Sequence, residues 1–484
     1  MKKKKEDKII PIEGHRLSTR RDFLGQGLVA GLGYTLAPSV LGSLYSNAAQ
    51  AVECGSTAQF AQKTPVIILD LAGGANFAGS NVMVGGAGGQ LDFIADYTTL
   101  GLPASMGPAM TGQLNNEMGL MFHNDSAILR GIQNTTSMAN RLKCDGGIFC
   151  TSSSDDTSNN PHNPMYWLNK AGAEGELTPL AGTRNTPSGG RSVMPPESFN
   201  PALQPVTLTR PSDALSLVNV GKLGSLFDQA KAEKILKSIE NLSESRIASF
   251  AQQSLPDQVK DLIRCGYVGT NDLISKFTAQ AIDPSLDNAV LQAFDNLGDG
   301  DQRKTATIAK MVIDGYIGAG TVEKGGYDYH NGTRATGENR DFDAGELIGR
   351  IISLAALKGK DVMIYVISDG AVSAKNEVDN SNDGRGKFVW SGDSGQRSSA
   401  FMLLYRNAGR ATLRTGRRQV GHFKDNGAVE NSATPASNSV TNLAKLITAN
   451  YLALHGEEAK LAEVVGDNPF GASLNDYLLF NKIN

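Results

Sequence analysis

Short apolar runs along the chain predict four buried β-strands. Residues 65–71 form one such run, which leads into Ala72-Gly73-Gly74, and residues 317–323, 361–368 and 399–406 form others. Runs of this length with little polar alternation are typical of strands that are covered on both faces. We therefore expect a buried sheet whose first strand delivers a glycine-rich loop at its carboxyl end.

Helical periodicity separates these strands. From Leu223 to Phe277 apolar residues recur every three or four positions, which predicts a mostly helical insertion over residues 220–300. Further helices are expected over residues 302–315, 342–357 and 439–455. Stretches rich in Ser, Thr, Asn, Gly and Pro, or lying between these elements, predict loops over residues 133–165, 182–205, 324–340 and 369–398.

The order of these elements indicates the fold class. Strands that alternate with helices favour an α/β fold, in which a largely parallel, doubly wound sheet carries helices on both faces. No internal repeat of 20–50 residues is visible in the sequence, so we do not expect a solenoid or a propeller.

The first 51 residues resemble an export signal. Arg20-Arg21 is followed by Phe23-Leu24 and a glycine-diluted apolar stretch, and Ala49-Gln50-Ala51 offers a small-residue cleavage pattern. These features are typical of a twin-arginine signal, and the glycine and serine interruptions disfavour the alternative, a membrane anchor. We expect the twin-arginine export machinery to deliver residues 52–484 to the periplasm or the medium, with no stable membrane span after cleavage.

The charge balance excludes a dedicated nucleic-acid binder. The chain has 46 Lys and Arg against 49 Asp and Glu, a formal net charge of −3. Residues 1–51 hold eight basic and four acidic residues, so their removal leaves −7. Proteins that neutralise nucleic-acid phosphates carry a clustered excess of Lys and Arg. We therefore expect a mildly acidic exported protein without a nucleic-acid partner.

Two closely spaced cysteines predict a disulfide. Cys144 and Cys150 enclose five residues, and disulfides persist in the compartments that receive exported proteins. Two free buried thiols are the alternative. The spacing of the four cysteines does not match a zinc ribbon, because the chain has no second close pair.

Polar side chains next to the predicted strands form a candidate metal site. These residues are Asp328, His330, Asp369 and Asp393. Open α/β sheets bind ligands at the carboxyl ends of their strands, and side chains two residues apart in an extended segment point the same way. Carboxylates and an imidazole that meet there suit zinc or another divalent metal. The alternative is that each is a solvated loop residue without a role.

Four segments resemble a known family. Leu-Ala-Gly-Gly-Ala-Asn at residues 71–76 is similar to the Leu-Arg-Gly-Gly-x-Asp opening of the exported bacterial family called domain of unknown function 1501. Residues 325–330, Gly-Gly-Tyr-Asp-Tyr-His, resemble its Gly-Gly-Trp-Asp-Thr-His, and residues 367–370 resemble its Phe-Ser-Glu-Phe-Gly. Residues 392–395 stand where the family has Thr-Asp-His-Gly. The resemblance extends loosely over residues 65–405.

The resemblance implies both a fold and a chemistry. The family is placed near the alkaline phosphatase and sulfatase superfamily, so it implies that fold. It also implies attack by a hydroxyl group on a phosphate or sulfate ester, with two metal ions that stabilise the attacking and leaving oxygens. By position, Ser80 matches the hydroxyl-bearing residue of the first loop and is the candidate nucleophile.

Three positions depart from the family pattern. The first metal-binding Asp of the family is Asn76 here, its late His is Ser394, and its Glu is the shorter Asp369. The loss of one carboxylate and one imidazole weakens metal affinity. His162 offers another imidazole, but its spacing to Trp167 differs from that of the family, so we interpret it as a loop histidine.

Two functions therefore remain open. The first is a non-catalytic protein with a degenerate metal site that binds a small molecule or an envelope partner. The second is a metal-dependent hydrolase of phosphate or sulfate esters. The substitutions at Asn76 and Ser394 favour the first. We expect a divalent metal, zinc, or no cofactor, with less than one zinc per purified mature chain and poor hydrolysis of aryl esters.

Overall fold

A computed structural model describes three stretches of the chain, residues 63–153, 160–218 and 279–483. The predicted export signal and residues 220–278 of the predicted helical insertion lie outside the described residues. The remainder of that insertion, residues 279–300, contains short helices separated by turns.

The chain divides into two compact units. One comprises Met1–Gly55 and Leu217–Phe277, and nearly all of it lies outside the described residues. The other comprises Ser56–Ser216 and Thr278–Asn484 and contains every strand of the central sheet. All the residues of the predicted metal site belong to this second unit.

The strands of the described residues are short. In chain order they are β1 (Val66–Ala72), β2 (Leu114–Asn115), β3 (Phe122–His123), β4 (Cys144–Cys150), β5 (Thr178–Gly182), β6 (Val206–Thr207), β7 (Ile317–Gly325), β8 (Val362–Ile367), β9 (Val372–Asp379), β10 (Lys387–Asp393), β11 (Ser399–Tyr405) and β12 (Gln419–Val420). Four of them, β1, β7, β8 and β11, confirm the strands predicted from apolar runs to within about two residues.

The α-helices of the described residues lie between and after these strands. They are α1 (Ala127–Thr135), α2 (Met138–Arg141), α3 (Met165–Lys170), α4 (Pro211–Val218), α5 (Ala279–Ile282), α6 (Asn288–Ala293), α7 (Gly300–Ile313), α8 (Ala335–Leu357), α9 (Val440–Leu454) and α10 (Leu461–Val465). None of these helices combines the length and the apolar character needed to cross a membrane.

Eight strands form the central sheet, in the order β12-β4-β11-β8-β1-β7-β5-β6. All paired neighbours run parallel except β11, which is antiparallel to both β4 and β8. The first strand therefore lies near the centre of the sheet, between β7 and β8. The prediction of an α/β fold with a large, mostly parallel sheet is confirmed.

Helices cover both faces of this sheet. Ala319 of β7 belongs to the apolar core that contains α3 and α9. The next residue, Gly320, faces α7, because a Cβ there would lie 2.6 Å from Ile308 and 2.8 Å from Val312. Side chains of successive strand residues point to opposite faces, so α7 and α9 lie on opposite sides of the sheet.

Side-chain caps fix the beginnings of three of these helices. The Ser126 side chain accepts a hydrogen bond from a backbone N–H in the first turn of α1, and Asp299 and Ser439 do the same for α7 and α9. Each cap satisfies a backbone donor that the helix leaves without a partner. The helices predicted over residues 302–315 and 439–455 are confirmed in this form.

Three predicted loops contain regular structure. Residues 133–165 include α2 and β4, residues 369–398 include the β9–β10 hairpin, and α8 begins at Ala335 inside the loop predicted over residues 324–340. The strand β4 escaped prediction because it contains two glycines instead of an apolar run. Its neighbours require them, since a Cβ at Gly146 would lie 2.3 Å from the Met402 carbonyl oxygen.

The predicted disulfide is wrong. Cys144 and Cys150 are the two end residues of β4, and both are free and buried. A strand rises by about 3.3 Å per residue, which separates them by about 20 Å, whereas bridged Cα atoms lie within about 7 Å of each other. Burial raises the pKa of the Cys144 thiol to about 12 and raises that of Cys150 as well. The alternative, two free buried thiols, is what the structure shows.

Candidate metal centre

The loops that follow β1 and β7 meet at the carboxyl edge of the sheet. These strands are parallel, with Ala72 opposite Gly325, so the chain leaves both strands side by side. A Cβ at Gly73 would lie 2.5 Å from the backbone nitrogen of Asp328, and the φ angle of Gly73 is 126°. Only glycine therefore lets the Asp328 segment lie directly on the first loop.

The β9–β10 hairpin brings a third segment to the same edge. It follows β8, the other parallel neighbour of β1, and pairs Asp393 at its end with Val372 at its start. The backbone N–H of Gly332 donates to the Trp390 carbonyl over 3.0 Å, and the Trp390 N–H donates to the Thr333 carbonyl over 3.3 Å. These bonds attach the hairpin to the segment that follows β7.

Asp328, His330 and Asp393 form a cluster of three candidate ligands. One nitrogen or oxygen atom from each lies within 4.8 Å of the others. The Nδ1 atom of His330 is 3.0 Å from Oδ1 of Asp393 and is also in contact with Oδ1 of Asp328. The three side chains are 51%, 37% and 34% exposed for Asp328, His330 and Asp393, so ions can reach them from solvent.

The electrostatics of this cluster favour a bound cation. Two carboxylates that lie this close together repel each other when both are ionised. The Nδ1 atom of His330 makes no hydrogen bond of acceptable geometry with the described residues, although both carboxylates approach it. A divalent cation between them would relieve this repulsion, and carboxylate and imidazole are both zinc ligands.

Asp369 does not join this cluster. Its side chain is 1% exposed, and its Oδ1 accepts a hydrogen bond from Nδ2 of Asn160 over 2.6 Å. Its backbone lies beside the first loop, because a Cβ at Gly74 would be 3.5 Å from the Asp369 carbonyl oxygen. The structure thus places all four predicted ligands at one edge of the sheet and brings three of them together.

Asn76 and Ser80 are closed off in the interior. The Nδ2 atom of Asn76 donates to the Val372 carbonyl over 3.2 Å, and its backbone N–H donates to the Tyr329 hydroxyl over 2.9 Å. Ser80 has no exposed surface, and its hydroxyl has no hydrogen-bond partner among the described residues. A nucleophile must reach its substrate, so this position does not support attack on an ester.

Ser394 acts as a partner of an arginine in this structure. Its backbone N–H donates to the Ala371 carbonyl over 2.7 Å, and its hydroxyl accepts a hydrogen bond from Nη1 of Arg397 over 3.1 Å. Burial lowers the pKa of Arg397. The position at which the resemblance implies a late histidine ligand is therefore occupied by a hydroxyl that supports a neighbouring cation.

His162 lies in a loop, as predicted, and its side chain is fully buried. Its Nε2 atom is 3.1 Å from the Ser153 hydroxyl, and burial lowers its pKa to about 4. The imidazole is therefore neutral at physiological pH. It lies outside the three-residue cluster of the described residues.

Two buried residues that the sequence analysis did not single out, Tyr329 and Asp341, are hydrogen-bonded to each other next to the ligand segment. The Tyr329 hydroxyl donates to Oδ1 of Asp341 over 3.1 Å, and Nδ2 of Asn81 donates to Oδ2 of Asp341 over 2.7 Å. Burial raises the pKa of Asp341 to about 7, although both of these hydrogen bonds lower it. Tyr329 could have been found from the sequence, because in an extended segment it points to the face opposite Asp328 and His330.

The chain matches no protein-family model and no curated protein sequence. No family is thereby assigned. The function has to be argued from the geometry of the site and from the motifs of the sequence.

Proposed function

We propose that this chain is an exported, non-catalytic binding protein that holds one divalent cation, zinc, at Asp328, His330 and Asp393. The observation that carries the proposal is the approach of three ligand atoms to within 4.8 Å of one another. A site with three protein ligands keeps a position for water or for an acidic group of a ligand. The twin-arginine motif supports export, and lysine substitution of Arg20 and Arg21 should retain the chain in the cytoplasm on cell fractionation.

An alkaline phosphatase-like fold remains part of this proposal, without the two-metal centre that the resemblance implies. Asn76 offers no anionic oxygen, and its amide group donates to a carbonyl. Asp369 is buried and accepts a hydrogen bond from Asn160. The residues present fit one metal ion at the exposed cluster and do not fit a second beside it, because the second ligand set is incomplete.

The arrangement disfavours catalysis. Ester hydrolysis by the implied route needs a hydroxyl that can attack beside the metal. Ser80, the candidate that the resemblance names, is fully buried. We therefore infer that a bound cation recognises a ligand and does not activate a nucleophile.

The exposure of the ligands sets the expected affinity. Ligand atoms that water hydrates and screens bind a cation less tightly than ligand atoms enclosed in the protein interior. We expect zinc to dissociate during purification and to bind again, at one site per chain, when it is added. This accounts for the low zinc content that the sequence predicts for the purified protein.

The test is calorimetric titration of the mature chain with zinc chloride. We expect one saturable site, lost in His330→Ala and weakened at least about tenfold in Asp393→Asn. His422→Ala is the matched control, because His422 is partly buried and lies outside the cluster.

Two results would contradict the proposal. One is a wild-type chain that takes up no zinc at saturating concentration. The other is hydrolysis of an aryl phosphate or sulfate that disappears in Ser80→Ala, since this would establish the hydrolase.

A further inference from the structure

The segment that carries two of the three ligands has two different faces. Tyr327 and Tyr329 have no exposed surface, whereas Asp328 and His330 reach solvent. This alternation is that of an extended chain, in which side chains two residues apart share a face. Tyr329, which lies between the two ligands in the sequence, therefore occupies the buried face of the same segment.

The Tyr329 hydroxyl is held by two partners in the core. It accepts the backbone N–H of Asn76 over 2.9 Å and donates to Oδ1 of Asp341 over 3.1 Å. The side-chain amide of Asn81 holds Asp341 in turn, because its Nδ2 atom donates to Oδ2 of Asp341. The Oδ1 atom of Asn81 accepts a hydrogen bond from the Ser126 hydroxyl. The ligand segment is thus attached through one phenol to the first loop and to helix α8.

The same network continues to the third ligand. The side-chain amide of Asn76 donates to the Val372 carbonyl, and Val372 is the register partner of Asp393. The Tyr329 ring also packs against Trp390, with centroids 6.0 Å apart, three residues before Asp393 in β10. Asn76 and Trp390 therefore connect Tyr329 to the strand that presents Asp393.

From this geometry we propose that Tyr329 is the positioning residue of the metal cluster, acting through Asn76 and Trp390. Its hydroxyl sets the direction of Asp328 and His330, and its two connections set the distance from these ligands to Asp393. Asn76, at the position where a ligand was implied, is a structural support in this arrangement. The inference rests on the proposed function for its metal. Its positioning role rests on the hydrogen bonds of the Tyr329 hydroxyl and on the ring contact with Trp390.

The substitution Tyr329→Phe tests this role, because it removes the hydroxyl and keeps the ring. Tyr327→Phe is the matched control. Tyr327 is equally buried in the same segment, and its hydroxyl donates to the Arg340 carbonyl over 2.7 Å, away from the cluster. Each variant loses one buried hydroxyl, so a general loss of stability should affect both.

We expect Tyr329→Phe to weaken zinc binding by about 10- to 100-fold, the usual effect of removing a group that orients metal ligands. Tyr327→Phe should change the affinity less than about threefold. The visible spectrum of bound Co²⁺ should also change in Tyr329→Phe and not in the control, because it reports the geometry of the ligands. A purely structural role would lower the melting temperature and leave that spectrum unchanged.

Hydrogen–deuterium exchange of residues 326–332 without metal separates this inference from the proposed function. If the wild-type chain binds no zinc, the proposed function fails, and faster exchange in Tyr329→Phe than in Tyr327→Phe still supports the positioning role. Equal exchange in the two variants would overturn that role. The positioning role would also be overturned if Tyr329→Phe bound zinc as tightly as the wild type, or if the two variants lost the same zinc affinity.

Discussion

The two ends of strand β10 carry charged clusters of opposite character. At its first residue, Lys387 is fully buried and donates to Oε1 of Glu338 over 2.8 Å, and Arg334 donates to the same oxygen over 2.8 Å. The second oxygen of Glu338 accepts from Arg130 over 2.7 Å. At its last residue, Asp393 faces solvent together with Asp328 and His330.

The difference lies in what balances the charge. In the cluster around Glu338, every carboxylate oxygen has a cationic donor from the protein, so the cluster stabilises the fold and offers nothing to a ligand. Around Asp393, a second carboxylate and one imidazole nitrogen come together where solvent reaches all three side chains. Under the proposed function, a cation that arrives from solvent balances these carboxylates, whereas protein cations already balance Glu338.

The largest effect is expected in the buried cluster. Glu338→Gln removes the carboxylate that the buried cations Arg334 and Lys387 share, and leaves Lys387 with the longer contact to the Asp125 carboxylate at 3.4 Å. Breaking a buried ion pair in this way costs about 3–5 kcal/mol. Urea denaturation should show a large loss in the free energy of unfolding. The zinc affinity of the fraction that remains folded should be unchanged.

An exposed ion pair on the same hairpin provides the control. Lys375 and Glu377 are 47% and 62% exposed, and pairs of this kind contribute about 0–1 kcal/mol. Glu377→Gln should therefore leave the free energy of unfolding nearly unchanged. A loss as large as that of Glu338→Gln would show that burial does not distinguish the two pairs.

Asp341 is a third case, a buried carboxylate that forms no ion pair with the described residues. Burial raises its pKa to about 7 from a usual value of 3.8, with Glu338 raising it further and Arg334 opposing this. The folded chain then holds a proton that the unfolded chain has lost between about pH 4 and pH 7. This contribution to stability is complete below pH 4 and is lost as the pH rises to about 7.

Asp341→Asn removes this dependence. Because one pKa unit corresponds to about 1.4 kcal/mol, the free energy of unfolding of the wild type should fall relative to the variant by up to about 4 kcal/mol between pH 4 and pH 8. Asp70, whose pKa burial raises to about 6, is present in both proteins and cancels. A difference that does not vary with pH would mean that Asp341 is ionised throughout.

Apolar patterning was sufficient to predict the central strands of the sheet and insufficient to predict the elements around them. The strands β1, β7, β8 and β11 are predictable because each buries a short apolar run on both faces. The strand β4 and the β9–β10 hairpin are not, because glycine and charged residues fill them and their pairing depends on distant segments. The two glycines of β4 are explained only by distant segments packed against them, the Met402 backbone at Gly146 and the Leu479 side chain at Gly147.

The candidate site likewise contains residues that the local sequence predicts and contacts that only tertiary packing determines. Asp328 and His330 could be assigned to one face because alternation in an extended segment is a local property. The contact of Tyr329 with Asn76 joins residues 253 positions apart, and no local pattern encodes it. For Asp369 the position at a strand end was predictable, whereas the direction of its side chain, into the buried network with Asn160, depends on tertiary packing.

The smallest effect is expected at the exposed cluster itself. Without metal, His330→Ala should change the free energy of unfolding by no more than about 0.5 kcal/mol, because surface substitutions seldom do more. With free zinc at 100 times its dissociation constant, the wild type should gain about 2.7 kcal/mol and His330→Ala should gain nothing. Thermal unfolding with and without zinc measures both values. A substantial loss in metal-free His330→Ala would mean that the cluster, like the one around Glu338, already has its charges balanced within the protein and serves the fold.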